Sequence, residues 1–492
     1  MRNSFLILFF SVFTTVVCAQ TVSDALRFSS IDPSGTARFM ATGGALGPLG
    51  ADLSVTGTNP AGVGLYRISE FTISPAFFSA GADAGLTAAG TSMRDSRSTL
   101  NFHNIGVVMT SQPLSPTWKS MNFAITLNNI GNFNRRFSYS GATTGSIAQR
   151  WAELANSSGL ESFEAGLASD VGAIYFDDFD GNPDDYDIDY EGSEDQLLLK
   201  EQTLITKGSA TELSFALGAN YNNRVMIGLS IGVPIINFEY ESVYTEQDER
   251  SPTGGNVPFF ESLEYRDQYT TTGGGINAKL GVIVRVNQAL RLSGAIHTPT
   301  GYTFEDELET TLINNSFEDP EEMGNLFGGE ATSTGLFEYR LRTPWRFFGG
   351  AGLILGRNGF VSAEVELVNH GNNEFRYDGF QASEDAVNGD IAQSLENVLN
   401  LRLGGELVLK DIYRVRGGIG IFPSAFAGDD TRRYSLSTGA GIRQERYFFD
   451  LAYRYTTFDE LFFPYNTQEA ELQEVNTEFD LHRIVLTFGV KF

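Results

Sequence analysis

Strict two-residue alternation of apolar and polar side chains is the strongest constraint on this chain, and the C-terminus displays it best. From Asp480 to Phe492, the residues His482, Ile484, Leu486, Phe488, Val490 and Phe492 share one face, while Arg483, Val485, Thr487, Gly489 and Lys491 share the other. Successive side chains of a strand point to opposite sides, so this period specifies β structure and not helix. Tyr447 to Thr456 repeats the pattern, with Phe449, Leu451, Tyr453 and Tyr455 opposite Phe448, Asp450, Ala452, Arg454 and Thr456. In Leu399 to Leu409 the leucines at 399, 401, 403, 407 and 409 face Asn400, Arg402, Gly404 and Glu406. Apolar residues on one side, with Gly and isolated charges on the other, suit a barrel with lipid outside and a polar lumen inside. A soluble sandwich would alternate too, but its polar face would be richer in Lys and Thr and poorer in Gly.

Export agrees with this expectation. Residues 1–19 read as a secretory signal, in which Arg2 gives the positive start, Phe5 to Val17 the apolar stretch, and Val17-Cys18-Ala19 the small-residue site before Gln20. A lipidated Cys18 is the competing reading, disfavoured by the bulky Val16 and Val17 before it. No later stretch approaches the roughly 20 apolar residues of a membrane helix. The chain has 61 acidic against 34 basic residues and one cysteine. The charge balance repels nucleic-acid backbones, so no nucleic-acid partner is expected, and one cysteine excludes an internal disulfide framework.

Walking the chain predicts about fourteen strands, at 68–80, 99–111, 118–139, 209–221, 224–244, 261–286, 290–312, 334–355, 359–376, 398–410, 412–423, 433–444, 446–457 and 480–492. Every second connection is short and polar: Pro113 to Thr117, Asn220 to Asn223, Asn287 to Ala289, Arg357-Asn358, Lys410-Asp411 and Gln444-Glu445. The connections between these are long. Short turns on one side and long loops on the other form the outer-membrane pattern, with the short turns periplasmic. The expected fold is therefore all-β, a transmembrane antiparallel barrel over residues 68–492 with long extracellular loops, among them 141–208. Residues 20–67 do not fit the strand pattern, being rich in Gly, Ala and Ser, and are expected as a periplasmic tail or as a small plug inside the lumen.

Within that segment Asn59-Pro60-Ala61-Gly62 runs directly into the first strand. This resembles the hatch motif of the FadL/TodX family of outer-membrane transporters for hydrophobic compounds. Gly232-Val233-Pro234, Thr298-Pro299-Thr300-Gly301, Thr343-Pro344-Trp345, the run Asn400 to Glu406, Arg416-Gly417-Gly418 and the terminal Phe492 resemble the family as well, and the resemblance spans essentially the whole mature chain. It implies that extracellular loops capture a hydrophobic, fatty-acid-like solute, which passes to an apolar pocket and leaves sideways where one strand is kinked. The resemblance further implies that hatch movement is coupled to release. It also implies contact with outer-membrane lipid and lipopolysaccharide, recognition of Phe492 by the barrel-assembly machinery, and no cofactor. The long loops diverge most, which leaves the solute open among fatty acids, aromatic hydrocarbons and a porphyrin such as haem.

The candidate kink is Asn128-Asn129-Ile130-Gly131-Asn132, because consecutive Asn and Gly break pairing and twist a strand; an ordinary bulge at the membrane rim is the alternative. Pro75, Pro234, Pro299 and Pro344 fall inside strand patterns, where each removes a donor. Residues 146–173 show helical spacing, and Trp151, Leu154, Leu160, Phe163 and Leu167 are candidates for a greasy capture groove or for packing against the rim. The acidic run 177–195 is read as a solvated loop, with calcium binding the alternative; the EF-hand spacing is not met. Charges on the inward faces, with Arg402, Glu406, Arg416 and Arg454 foremost, are expected to pair across strands, and some of the arginines are candidates to hold a carboxylate head. No metal site is expected. The four histidines, His103, His297, His370 and His482, are far apart and lack hydrolase or zinc-protease contexts, so an enzyme is not expected. A general diffusion porin and a loop-mediated adhesin or receptor are the runner-up functions.

Overall fold

The computed structural model describes residues 20–492 apart from 33, 178–184, 191–195, 249–256, 318–325 and 469–471. The expected signal and most of the acidic run lie outside the described residues. Fourteen antiparallel strands close on themselves. In chain order they are β1 (Glu70–Leu86), β2 (Met93–Ser111), β3 (Trp118–Asn132, continued by Arg135–Thr143), β4 (Leu198–Tyr221), β5 (Val225–Asp248) and β6 (Phe260–Arg285). Then come β7 (Leu290–His297 and Gly301–Phe317), β8 (Leu326–Arg342 and Arg346–Ile354) and β9 (Gly359–Asn369 and Glu374–Arg376). The circuit ends with β10 (Asn397–Leu409), β11 (Tyr413–Pro423), β12 (Arg432–Arg443), β13 (Tyr447–Phe462) and β14 (Val475–Lys491). Pairing of Glu70 with Lys491 through Leu86 with Val475 joins first strand to last and leaves no free barrel seam.

The alternation read in the sequence is the division between lipid and lumen. On β5, Ile227, Leu229, Ile231 and Ile235 are exposed on the outer surface, whereas Met226, Ser230 and Ile236 are buried within. Beyond Asn237 the outward positions become Glu239 and Glu241, which marks the end of the apolar band. β4 and β5 have 24 residues each and β6 has 26, against the roughly 10 that span a bilayer; this side of the barrel rises well above the membrane. β10, β11 and β12 have only 13, 11 and 12, so the rim is lopsided. The short turns are tight: between Tyr221 and Val225, Asn222 and Asn223 both have positive φ, +51° and +56°, the sign that lets a turn follow the twist of its strands.

Residues 20–65 lie against the inward face of the wall. They form helix α1 (Val22–Ser29), helix α2 (Ala37–Ala41) and two 3-10 turns at Leu53–Gly57 and Pro60–Leu65. Thr21 starts α1 with a capping box closed by Asp24. Every residue from Ser34 to Gly50 is buried. Glycines in the wall admit this close approach: a Cβ on Gly228 (β5) would overlap the Pro60 carbonyl, one on Gly404 (β10) the Thr42 carbonyl, and one on Gly418 (β11) the Gly43 amide.

Three neighbouring strands are interrupted side by side. β7 breaks at Thr298-Pro299-Thr300 and β8 at Thr343-Pro344-Trp345, and these breaks face each other because His297 pairs with Arg346 and Gly301 with Arg342. β9 breaks beside them, at residues 370–373, and its outer piece pairs with β8 alone. The space between that piece and β10 is covered by helix α3 (Gln381–Ser394), which buries Val387 and Ile391. At the end of the barrel opposite the short turns, a cap of two helices, α4 (Ile147–Ser158) and α5 (Ala165–Asp170), packs on Tyr244, Phe260, Leu263 and Leu312. These residues lie at the tall ends of β5, β6 and β7.

Candidate functional site

The wall parts between β2 and β3. Their ladder runs from Ser111–Met121 to Asn104–Asn128 and stops there, although β2 stays paired with β1 as far as Met93. β3 carries a bulge between Asn129 and Gly131 and then an interruption at Phe133-Asn134. Its outer piece, Arg135–Thr143, pairs only with β4 and packs across the lumen side of β1, β13 and β14. Phe137 sits 5.3 Å from Phe462 and 6.2 Å from Phe479, and Arg135 reaches Glu460 at 3.5 Å. This piece forms no ladder with its neighbour β2, which it meets through the Arg136–Asp95 ion pair at 3.2 Å, and its contacts with β13 and β14 show that it has turned inward. On the other flank, Pro75 lies at a register shift in the β1–β2 ladder that leaves His103 unpaired. Apolar Leu100 and Phe102 of β2 stay exposed on the outer surface beside the parting, at 78% and 54%, near Phe77 of β1 in the apolar band.

The N-terminal segment is hydrogen-bonded to both lips. The Asp32 amide donates to the Ile130 carbonyl at 2.9 Å. Asn128 Nδ2 donates to Thr56 Oγ1 at 3.1 Å, and its Oδ1 accepts from Asn104 Nδ2 at 2.7 Å. Ser34 Oγ meets His103 Nδ1 at 2.8 Å. Asn129 Nδ2 holds the bulge by donating to the carbonyls of Gly131, at 3.1 Å, and Ala210, at 3.3 Å. The candidate kink therefore coincides with the parting. Asp32, Ser34, Thr56 and His103, which complete the arrangement, carry no motif that sequence reading could have found.

Beside the parting is an aromatic chamber occupied by α1. Phe28 lies 4.9 Å from Phe304, 5.9 Å from Phe238 and 6.3 Å from Phe133 of the β3 interruption. The Arg27 guanidinium rests 4.5 Å over Phe238. Tyr302, Tyr339 and Phe375 extend the cluster to β7, β8 and β9.

The four residues of the Asn-Pro-Ala-Gly motif are fixed against β4, β5 and β6. Asn59 caps the second 3-10 turn, accepting from the Ala61 amide at 3.1 Å, with Pro60 at its first position. Asn59 Nδ2 also points at the Val282 carbonyl, 3.4 Å away. Ala61 packs with Met226 and Ile283, and Gly62 receives the Ala51 amide at 3.1 Å.

Of the capture-groove candidates, Trp151 and Leu167 are buried in the core of the helical cap, with Leu154 packed against it. Phe163 lies 6.2 Å from Phe337, and Leu160 alone is strongly exposed. The helical spacing is realised, and the buried members pack on β5–β8, with Trp151 5.6 Å from Tyr265. The luminal charges are paired. Arg402 meets Glu364 at 3.3 Å and also Glu366, which Arg346 meets at 2.5 Å. Arg416 meets Glu406 and Asp450, each at 2.6 Å. Arg454 and Arg483 both reach Asp32, the former at 3.7 Å. All three networks enlist the N-terminal segment: the last through Asp32 itself, and the others because Gly47 N donates to Glu364 at 2.9 Å and Arg38 reaches Glu406 at 3.5 Å. Among the described residues no cluster of three metal-ligating side chains occurs, and the flanks of the acidic run form a small hairpin, Tyr175–Asp177 with Asp185–Asp187.

A closed fourteen-stranded antiparallel barrel with an apolar outer band defines an outer-membrane β-barrel protein. Its fold is that of the FadL/TodX family. Solved structures with this fold include a Pseudomonas aeruginosa FadL homologue (12% identity, TM-score 0.53, covering 94% of this chain and 99% of that one). They also include the Pseudomonas putida toluene transporter TodX (9%, 0.53, 94% and 100%) and the Ralstonia pickettii toluene transporter TbuX (12%, 0.50, 94% and 99%). No family model and no curated protein sequence matches the chain.

Proposed function

We propose that this protein takes up hydrophobic, fatty-acid-like small molecules across the outer membrane and releases them sideways between β2 and β3. The observation that carries this reading is the hydrogen-bonded junction of the N-terminal segment with the parted strands, Asp32 to Ile130 and Thr56 to Asn128. In this reading residues 20–67 are a hatch, the aromatic chamber is the apolar pocket, and Phe28 holds the place of a solute. Shifting α1 empties the chamber and strains the tie at Ile130, so that occupancy and opening are coupled. Asn59, Pro60, Ala61 and Gly62 are the fixed anchor about which the hatch moves. Arg433 stacks on Phe422 at 4.8 Å and makes no ion pair among the described residues. It is the arginine we assign to the head group of an anionic solute. Leu160 and the cap helices serve the first encounter with the solute.

That solved proteins of this fold are toluene transporters supports a hydrophobic solute. A diffusion porin needs an open aqueous lumen, and the burial of residues 34–50 against the inner wall favours the transporter reading over it. The experiment is native mass spectrometry with lipid extraction of the detergent-purified protein, beside a variant lacking residues 22–29. A co-purifying apolar molecule or saturable uptake of a fluorescent fatty acid, altered in the variant, supports the reading. No bound molecule, no uptake and steady ion conductance from the intact protein would sink it.

A further inference from the structure

The periplasmic mouth carries like charges that no carboxylate neutralises among the described residues. Arg224, Arg285 and Arg291 line a cleft of about 450 Å³ together with Asn223, Val286, Asn287 and Gln288. Arg67, at the end of the N-terminal segment, reaches its edge and donates to Asn223 at 3.4 Å. Two periplasmic turns build the cleft. One is the positive-φ pair Asn222-Asn223, which delivers Arg224; the other is the β6–β7 turn, where Asn287 Oδ1 accepts from the amides of Ala289 and Leu290, each at 2.8 Å.

Arg285 and Arg291 are direct cross-strand partners on the β6–β7 ladder. Like charges so placed destabilise a sheet, and the remedy used elsewhere in this barrel is a carboxylate. Arg416 and Arg443 at the same end have Asp450, and Arg414 has Glu406. The cleft has none: its lining contains no Asp or Glu, and among the described residues Arg67, Arg224, Arg285 and Arg291 make no ion pair. This occurs in a chain with 61 acidic and 34 basic residues. Arg285 Nε is buried without a hydrogen-bond partner, and Arg291 uses one donor on the Leu49 carbonyl at 3.0 Å.

We propose that this cleft binds a phosphate-bearing anion at the periplasmic mouth. Guanidinium groups present donors in a fork that matches phosphate oxygens two at a time, and the cationic residues of the cleft are all arginine. A dianion between Arg285 and Arg291 converts the repulsive pair into a clamp. The same phosphate chemistry has two sources, a soluble phosphorylated solute in the periplasm or the phosphodiester of a phospholipid in the periplasmic leaflet. The site lies on β5–β7 and is independent of the β2–β3 parting, so it stands or falls separately from the uptake reading.

The test uses the full-length protein in non-ionic detergent, titrated calorimetrically with inorganic phosphate and with pyrophosphate at fixed ionic strength. In parallel, the protein is reconstituted in phosphatidylcholine nanodiscs with and without phosphatidylglycerol, and retained lipid is read by native mass spectrometry. The variants are Arg285→Gln and Arg224→Gln, both of which leave the Arg291–Leu49 contact in place. Heat-modifiable gel mobility confirms that each barrel is folded. Saturable binding of phosphate or pyrophosphate, weakened at least tenfold in both variants, is the expected result and identifies a soluble ligand. Phosphatidylglycerol retained by the wild type and lost from the variants supports the site with lipid as its source. No saturable binding of any probe, or equal binding by wild type and variants, overturns the proposal.

Discussion

The backbone amide of Asp32 donates to the carbonyl of Ile130 at 2.9 Å, so the N-terminal segment is tied to the wall at the point where β3 leaves it. The Asp32 carboxylate is tied as well, to Arg454 and Arg483. Replacing Asp32 with Ala keeps the amide but leaves two buried guanidinium groups without that counter-charge. Removing one partner of a buried ion pair costs about 3–5 kcal/mol. We expect a lower temperature for the folded-to-unfolded mobility shift on gels and faster proteolysis within residues 20–65. An unchanged transition temperature would show that the arginines find other partners.

Asn128 joins β2, β3 and the N-terminal segment through Asn104 and Thr56. Asn128→Ala leaves the buried amide of Asn104 one partner short, at a cost of about 1–3 kcal/mol. On the uptake reading it also uncouples the segment from the parting, and uptake of a fluorescent fatty acid by cells with normal surface levels should fall several-fold. Normal uptake by a destabilised variant would assign Asn128 to stability alone.

Wall glycines test whether the segment blocks ion flow. Alanine at Gly228 or Gly404 drives a methyl group into the backbone of Pro60 or Thr42, and rigid backbone cannot yield as a flexible side chain would. Each variant should raise single-channel conductance in planar bilayers above that of the wild type. Gly349→Ala is the control, since a Cβ there meets only the Val365 side chain, at 3.5 Å.

In the loop beside the helical cap, burial, and secondarily the neighbouring Asp187, push the Asp189 carboxyl up to about 6 from 3.8. The folded loop holds a proton that the unfolded chain releases, so this contribution is fully present below about pH 4 and is lost as pH rises through 6. Hydrogen exchange of residues 185–190, corrected for the intrinsic rate, should show protection that declines from pH 4 to 6 and then levels off. Asp189→Asn should flatten the profile; a wild-type profile already flat over that range would contradict the assignment.

The sequence located all fourteen barrel strands because lipid and lumen impose opposite polarity on alternate residues, and this contrast is written wherever a strand crosses the membrane. Above the membrane both faces meet polar surroundings and the pattern fades. That is why 209–221 extends to Leu198–Tyr221 and 99–111 to Met93–Ser111, and why the loop expected at 141–208 gives up 141–143 and 198–208 to strands. The helix at Gln381–Ser394 buries only a thin row through Val387 and Ile391, too weak a stripe to read as amphipathic. At the site, Asn and Gly at 128–132 were legible as a break in pairing. The inward turn of β3 was not, because it depends on contacts of Arg135 and Phe137 with β13 and β14, more than 300 residues away in sequence.

The contact of Gly228, Gly404 and Gly418 with the backbone of residues 42–43 and 60 also ties the circumference of the barrel to the segment it encloses. The N-terminal segment touches strands on both sides of the lumen, and the seam joins β1 to β14. One strand more or fewer, or a shift of register, would carry these glycines away from the backbone they admit. Barrel size and enclosed segment are therefore a matched pair, and neither can change without the other.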